Sequence, residues 1–301
     1  MTSDEVLRLP DGRQLQFWTG GASDGHPVVV LPGCPDCRRI AFSGDAAAVE
    51  AGVRLVAVNR PGYGASDSMP SNHVTVADDV ISLADALGLD RFATLGMSLG
   101  GPYALACAAR HPDRVRAVGM IASPAETTAL DPPLPRDGMN TEEQELFRRL
   151  ASVEAAEAVE LLRPGYADWV AGIAPDDPDV DALATRWLDA MSPADRATLA
   201  RFPADVLAAA ARETLAQPDG YLRDVAVTFR RWEFDPSAVT CPVWLMYGAD
   251  DGNVSMRNAE WLAANLAGAT IEILPGTTHL QALLDNWDRA FAALGLGQGP
   301  G

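Results

Sequence analysis

The stretch Leu95-Gly96-Met97-Ser98-Leu99-Gly100-Gly101 sets a lone serine among glycines, after the apolar run RFATLGM and before the small-residue run LGGPYALACAARHP. A strand that turns into a helix within one residue forces its central residue into a strained backbone conformation. The neighbours two positions away must lack side chains, because a Cβ there would collide with the turn. Such a turn lifts the Ser98 hydroxyl above a sheet edge, with the free N–H groups of a helix N-terminus behind it. Gly96-x-Ser98-x-Gly100 is a weak pattern by itself. Its place between strand and helix gives it meaning.

Outward from this turn, strand and helix patterns alternate. VLRLPDGRQLQFW reads as a hairpin turning at Asp11-Gly12, TGGASDGH as a loop, and PVVVLPG as a strand buried on both faces. SGDAAAVEAG reads as a helix ended by Gly52 and VRLVAVN as a strand; VTVADDVISLADALGL has helical spacing, and VRAVGMIAS is again a strand. CPVWLMYG, a helix after Ser255, TIEILPG and a last helix from about Leu280 complete the series, and the tail GLGQGPG should be disordered. Eight strand-like runs with intervening helices predict a mostly parallel α/β sheet covered on both faces. The rhythm breaks at the proline-rich PAETTALDPPLP, and about 140–231 reads as nearly all helix. Thr141-x-x-Gln144 has the look of a capping box, and Ser192-Pro193 of a cap followed by proline at the first helical position. The expected organisation is an α/β core, 1–123 and 237–301, interrupted by a helical cap, 124–236.

Bulk properties narrow the function. The formal charge of −18 over 301 residues disfavours nucleic acid, an anionic membrane surface or a polyanionic substrate. All 23 basic residues are arginine, so a Walker A loop, a Ser-Lys dyad and Schiff-base chemistry are excluded. No signal-like or membrane-spanning run is present, and a cytoplasmic location is the expectation. Cys34, Cys37, Cys107 and Cys241 form no disulfide framework. Cys34-x-x-Cys37 lacks a second pair of soft ligands and reads as loop lining, so neither metal nor cofactor is expected. Assembly, including a homodimer, is not specified.

A serine nucleophile needs a base. Of four histidines, His26, His73 and His111 read as surface residues; His279 follows the last strand, on the same sheet edge as Ser98. The base needs an orienting carboxylate, and Asp250 and Asp251 in WLMYGADDGNV both end the preceding strand. The order serine, aspartate, histidine is that of G-x-S-x-G hydrolases.

Over nearly its whole length the chain resembles an α/β-hydrolase with a helical cap. In that family the acid commonly stands three residues after the glycine of a G-x-x-D turn; Gly248 plus three is Asp251, which the resemblance therefore favours over Asp250. The resemblance implies an oxyanion hole built from the backbone N–H of Leu99 and, in the loop LPGCPDC, that of Cys34. Relatives usually read His-Gly-x-Pro in this loop, and Pro32 replaces the histidine. NRPGYGASD resembles the family's D-R-x-G-x-G-x-S segment, with Asn59 for aspartate and a structural role. The resemblance implies a serine hydrolase, carboxylesterase-like, acting on a small apolar or aromatic ester, lactone or thioester. Among the cap's aromatic residues Trp187, Phe229 and Trp232 are expected at the pocket. Proline iminopeptidases share the long cap, but usually have tryptophan where Leu99 stands; Glu142, Glu143 and Glu145 read as a solvated helix face. A non-hydrolytic enzyme or a ligand-binding protein on this fold are the remaining alternatives. The alanine-rich, all-arginine composition resembles that of a high-GC bacterial genome.

Overall fold

The computed structural model describes residues 3–134 and 136–295. The expected disorder of the tail falls on residues 296–301, outside the described residues.

Eight strands form one sheet: β1 (Ser3–Arg8), β2 (Gln14–Gly21), β3 (His26–Leu31), β4 (Val53–Val58), β5 (Phe92–Met97), β6 (Val115–Ile121), β7 (Val243–Gly248) and β8 (Thr270–Leu274). Their spatial order is β1-β2-β4-β3-β5-β6-β7-β8. β2 is antiparallel to both its neighbours and every other pairing is parallel. The hairpin turns as its Asp-Gly predicts, with Gly12 at φ 93°. The sequence reading ends β2 too early. Gly20 and Gly21 pair with Leu55 and Arg54 of β4, and a Cβ on Gly20 would lie 2.1 Å from the Trp18 ring. Glycine there makes room for Trp18 rather than marking a loop.

The central strands are buried along most of their length because they feed two cores. Val28 and Val30 join a cluster with Leu55, Ala57, Leu95, Trp287 and Phe291; Val29 and Leu31 join another with Val56, Val80, Leu105 and Leu262. Helices α2 (His73–Ala86) and α3 (Gly100–Arg110) cover the second face. α1 (Asp45–Glu50) and two short C-terminal helices, which replace the single one expected, cover the first. The chain order reverses about β3, with β4 on one side and β5 on the other, and open sheets form clefts at the strand C-termini of such a point.

Between β6 and β7 six helices follow one another without a strand: α4 (Thr141–Ser152), α5 (Ala155–Ile173), α6 (Val180–Asp189), α7 (Pro193–Leu199), α8 (Ala204–Thr214) and α9 (Pro218–Thr228). They share a separate apolar core that includes Leu150, Tyr166, Leu183, Trp187, Leu207 and Leu222. The cap of α4 sits one residue earlier than the sequence suggests. Asn140 accepts from Glu143 N at 2.9 Å, and Glu143 reciprocates at 2.9 Å, so the box is Asn140/Glu143. Ser192 caps α7 as expected, with Pro193 behind it. His73 is not a surface residue: it opens α2, is buried against Tyr103, and lies 2.8 Å from Glu233.

Candidate active site

Ser98 follows β5 with φ 50°, one of three non-glycine residues at positive φ among those described. Its N–H donates to Ile121 of β6 at 2.8 Å, which pins the turn to the sheet. The flanking glycines are steric necessities. A Cβ on Gly96 would meet Gly100 O at 2.4 Å, and one on Gly100 would meet Leu31 O at 2.0 Å. The hydroxyl-bearing residue stays accessible and lines a cavity of about 840 Å³.

His279 lies in the loop after β8 and lines the same cavity. Its Nδ1 is 2.8 Å from Asp251 Oδ2, and the Asp251 side chain is 1% exposed. The other Asp251 oxygen accepts from Asn253 N at 2.8 Å and Val254 N at 3.0 Å, which fixes the carboxylate's orientation. Asp250 is exposed and its N–H donates to Thr277 O, so this neighbour serves the turn.

Cys34 and Leu99 both line the cavity beside Ser98, and neither backbone N–H donates to another described residue. Gly33 approaches so closely that a Cβ there would lie 3.3 Å from Ser98 Cβ. With proline in place of the usual histidine, the Cys34 loop is held from Arg60 instead. The Arg60 guanidinium donates to the carbonyls of Pro32 and Gly33, the latter at 2.8 Å. It is paired in turn with Asp224 of α9, whose carboxylate also accepts from Tyr63 at 2.8 Å and Tyr103 at 2.7 Å. Arginine and aspartate are both essentially sealed from solvent. Arg60 lies in the NRPGYG segment, so its structural role was visible; Asp224 carries no local signal.

Phe229 and Trp187 line the cavity, joined by Phe147, Trp169 and Tyr221. The Phe147 and Phe229 rings meet at a tilt with centroids 4.2 Å apart, and Trp169 meets Tyr221 at 5.3 Å, so the wall is aromatic. Trp232 does not line it. Its ring stacks on Phe234 at 5.0 Å and borders a separate crevice of about 10 Å³, room for a single water. The chain turns back toward the sheet before residue 232, which carries that ring into the core. Among the described residues two arginines line the cavity: Arg39, 2.7 Å from the Glu213 carboxylate that it shares with Arg38, and Arg136, 2.5 Å from Glu143. Burial raises the Asp36 carboxyl to about 7, and burial also pushes the Cys34 and Cys37 thiols well up, which keeps them neutral. Among the described residues no cluster of three or more His, Cys, Asp or Glu is placed to hold a metal, and no helix is long and apolar enough to cross a membrane.

Residues 26–285 match the family model for the alpha/beta hydrolase fold. A 2-hydroxy-6-oxononadienedioate/2-hydroxy-6-oxononatrienedioate hydrolase of Burkholderia vietnamiensis is 30% identical over 46% of this chain and 50% of its own; the chain spans about half the length of such curated relatives. A pimeloyl-[acyl-carrier protein] methyl ester esterase of Chromobacterium violaceum is 26% identical over 77% of this chain and 78% of its own. An alpha/beta hydrolase fold protein from Nakamurella multipartita superposes with a TM-score of 0.64 at 25% identity, covering 98% of this chain and 99% of that one. The eight-stranded sheet, the serine turn and the family match agree, and the chain belongs to the alpha/beta hydrolase fold family.

Proposed function

We propose that this chain is a serine hydrolase that cleaves an apolar or aromatic carboxylic ester, lactone or thioester through an acyl-enzyme. One observation carries the reading. Ser98 at its strained turn and His279, with Asp251 behind it, line a single cavity. In this reading His279 takes the Ser98 proton through Nε2 while Asp251 holds Nδ1, orients the ring and stabilises its charge. Ser98 attacks the carbonyl carbon, and the N–H groups of Leu99 and Cys34 receive the developing oxyanion. The imidazolium returns its proton to the leaving alkoxide, or to the thiolate of a thioester, and water then releases the acyl group by the same steps.

The aromatic wall supports an apolar substrate. The volume speaks for a larger ligand than the small ester first expected, because about 840 Å³ lies in the upper range of small-molecule sites. Helices α4–α9 act as the cap, since Phe147, Trp169, Trp187, Tyr221 and Phe229 all come from them or their ends. Relatives named as hydrolases and esterases support the reaction class. The test combines a fluorophosphonate probe with a panel of p-nitrophenyl esters of rising acyl size, lactones, thioesters and amino-acid amides. Labelling at Ser98 and turnover abolished in Ser98→Ala are expected. Unlabelled protein without esterase activity would favour a ligand-binding or non-hydrolytic role.

A further inference from the structure

Asp195 belongs to α7, in the helical insertion, yet its carboxylate serves the two loops that carry Asp251 and His279. Oδ1 accepts from the N–H of Leu280, the residue after His279, at 3.3 Å. Oδ2 accepts from Asn253 Nδ2 at 2.9 Å, and Asn253 N donates to Asp251 at 2.8 Å. Ser192, which caps α7, donates its hydroxyl to the same oxygen at 2.9 Å. Asp195 is 6% exposed and also lines the cavity. A buried carboxylate whose lone pairs are filled by donors from separate segments holds those segments in register, and stripping a donor leaves charge without a partner. An ion pair between the insertion and the residues after His279, Arg201 with Asp285 at 2.5 Å, is exposed and contributes little directional restraint.

We infer that Asp195 is a positioning residue: it sets the Asp251–His279 pair relative to Ser98, so the pair is aligned only while α7 is seated on the core. The inference rests on the serine-hydrolase reading above. Proton transfer between serine and imidazole is steep in geometry, and a displacement of about 1 Å costs about 10²-fold in rate. The insertion is then part of the catalytic apparatus as well as the wall of the pocket, since lifting α7 withdraws the acceptor from both loops at once.

The experiment compares full-length wild type, Asp195→Ala, Asp195→Asn, Asn253→Asp and the reversed pair Asp195→Asn/Asn253→Asp. Three quantities are measured: the second-order rate of Ser98 labelling by a fluorophosphonate, kcat and KM on one p-nitrophenyl ester, and the melting temperature. Asp195→Ala is expected to slow labelling by about 10- to 100-fold, with the loss in kcat rather than KM. Asp195→Asn sets one amide NH₂ against another and should be slowed as well; it remains informative if the alanine variant fails to fold. The reversed pair sets a donor against an acceptor again and should recover most of the rate. Wild-type labelling rates per active site in both Asp195 variants would overturn the inference, even with a lowered melting temperature. Failure of the reversed pair to recover rate while folded would do the same. Wild-type protein that resists labelling, beside an active Ser98→Ala, would overturn the serine reading and this inference together.

Discussion

Asp224→Ala removes the carboxylate that joins α9 to the loop of Cys34. In the folded protein Arg60 and Asp224 have side chains 2% and 3% exposed, and the carboxylate accepts from two buried tyrosines. Truncation strands a buried guanidinium, which costs about 3–5 kcal/mol. The orphaned Tyr63 and Tyr103 hydroxyls act in the same direction, although such losses within one network do not add. At roughly 2–4 °C per kcal/mol for a chain of this order, the melting temperature falls by roughly 6–20 °C. Arg60 also donates to the carbonyls of Pro32 and Gly33, so kcat toward an ester should fall in protein that remains folded. Circular dichroism melting and urea midpoints measure the first effect, and steady-state kinetics well below the melting temperature measure the second. The pair Asp224→Leu/Arg60→Met should melt higher than Asp224→Ala, because it leaves no isolated charge. An Asp224→Ala protein that melts with the wild type would refute the reasoning, since it would mean the guanidinium finds water or another acceptor at no cost.

Ser98→Ala should lower kcat by about 10⁴- to 10⁶-fold in an ester assay while leaving the melting temperature near or above that of the wild type, because alanine keeps the fold and removes only the nucleophile. Gly100→Ala forces a Cβ to within 2.0 Å of Leu31 O, backbone that cannot yield cheaply, so urea unfolding should report a loss of about 3 kcal/mol. Asp36, its carboxyl raised by burial to about 7, keeps its proton in the folded state between about pH 4 and 7, where the unfolded chain has lost it. Its contribution to stability therefore declines as pH rises through that interval. The melting temperature of Asp36→Asn relative to wild type should accordingly increase from pH 5 to pH 8, and a difference independent of pH would contradict the assignment.

The parts legible in the sequence are those written in local period and local sterics. Apolar runs located all eight strands, alternating in the first hairpin and nearly continuous in the central strands, which are covered on both faces. The glycines of LGMSLGG announced the turn at Ser98, since only the absence of a Cβ lets β5 pass into α3 there. Gly248 and Asp251 lie in one turn, and His279 was isolated by its place after β8. His73 was misread because a polar neighbourhood in the chain says nothing of the Tyr103 and Glu233 that enclose it. Trp232 was misplaced because aromatic residues near the end of a helical segment can turn either into a cavity or into the core beneath it.

By itself, the sequence determined the α/β class, the serine turn and the chain order of the candidate residues Ser98, Asp251 and His279, each marked by a pattern a few residues long. The tertiary structure alone decided which carboxylates besides Asp251 reach the loops of the site, namely Asp224 and Asp195. Arg60 and Asp224 are 164 residues apart and Asp195 and Leu280 are 85 apart. An acid on a helix surface looks the same in sequence whether it faces water or a buried guanidinium, because its partner is supplied by the packing of the insertion on the core.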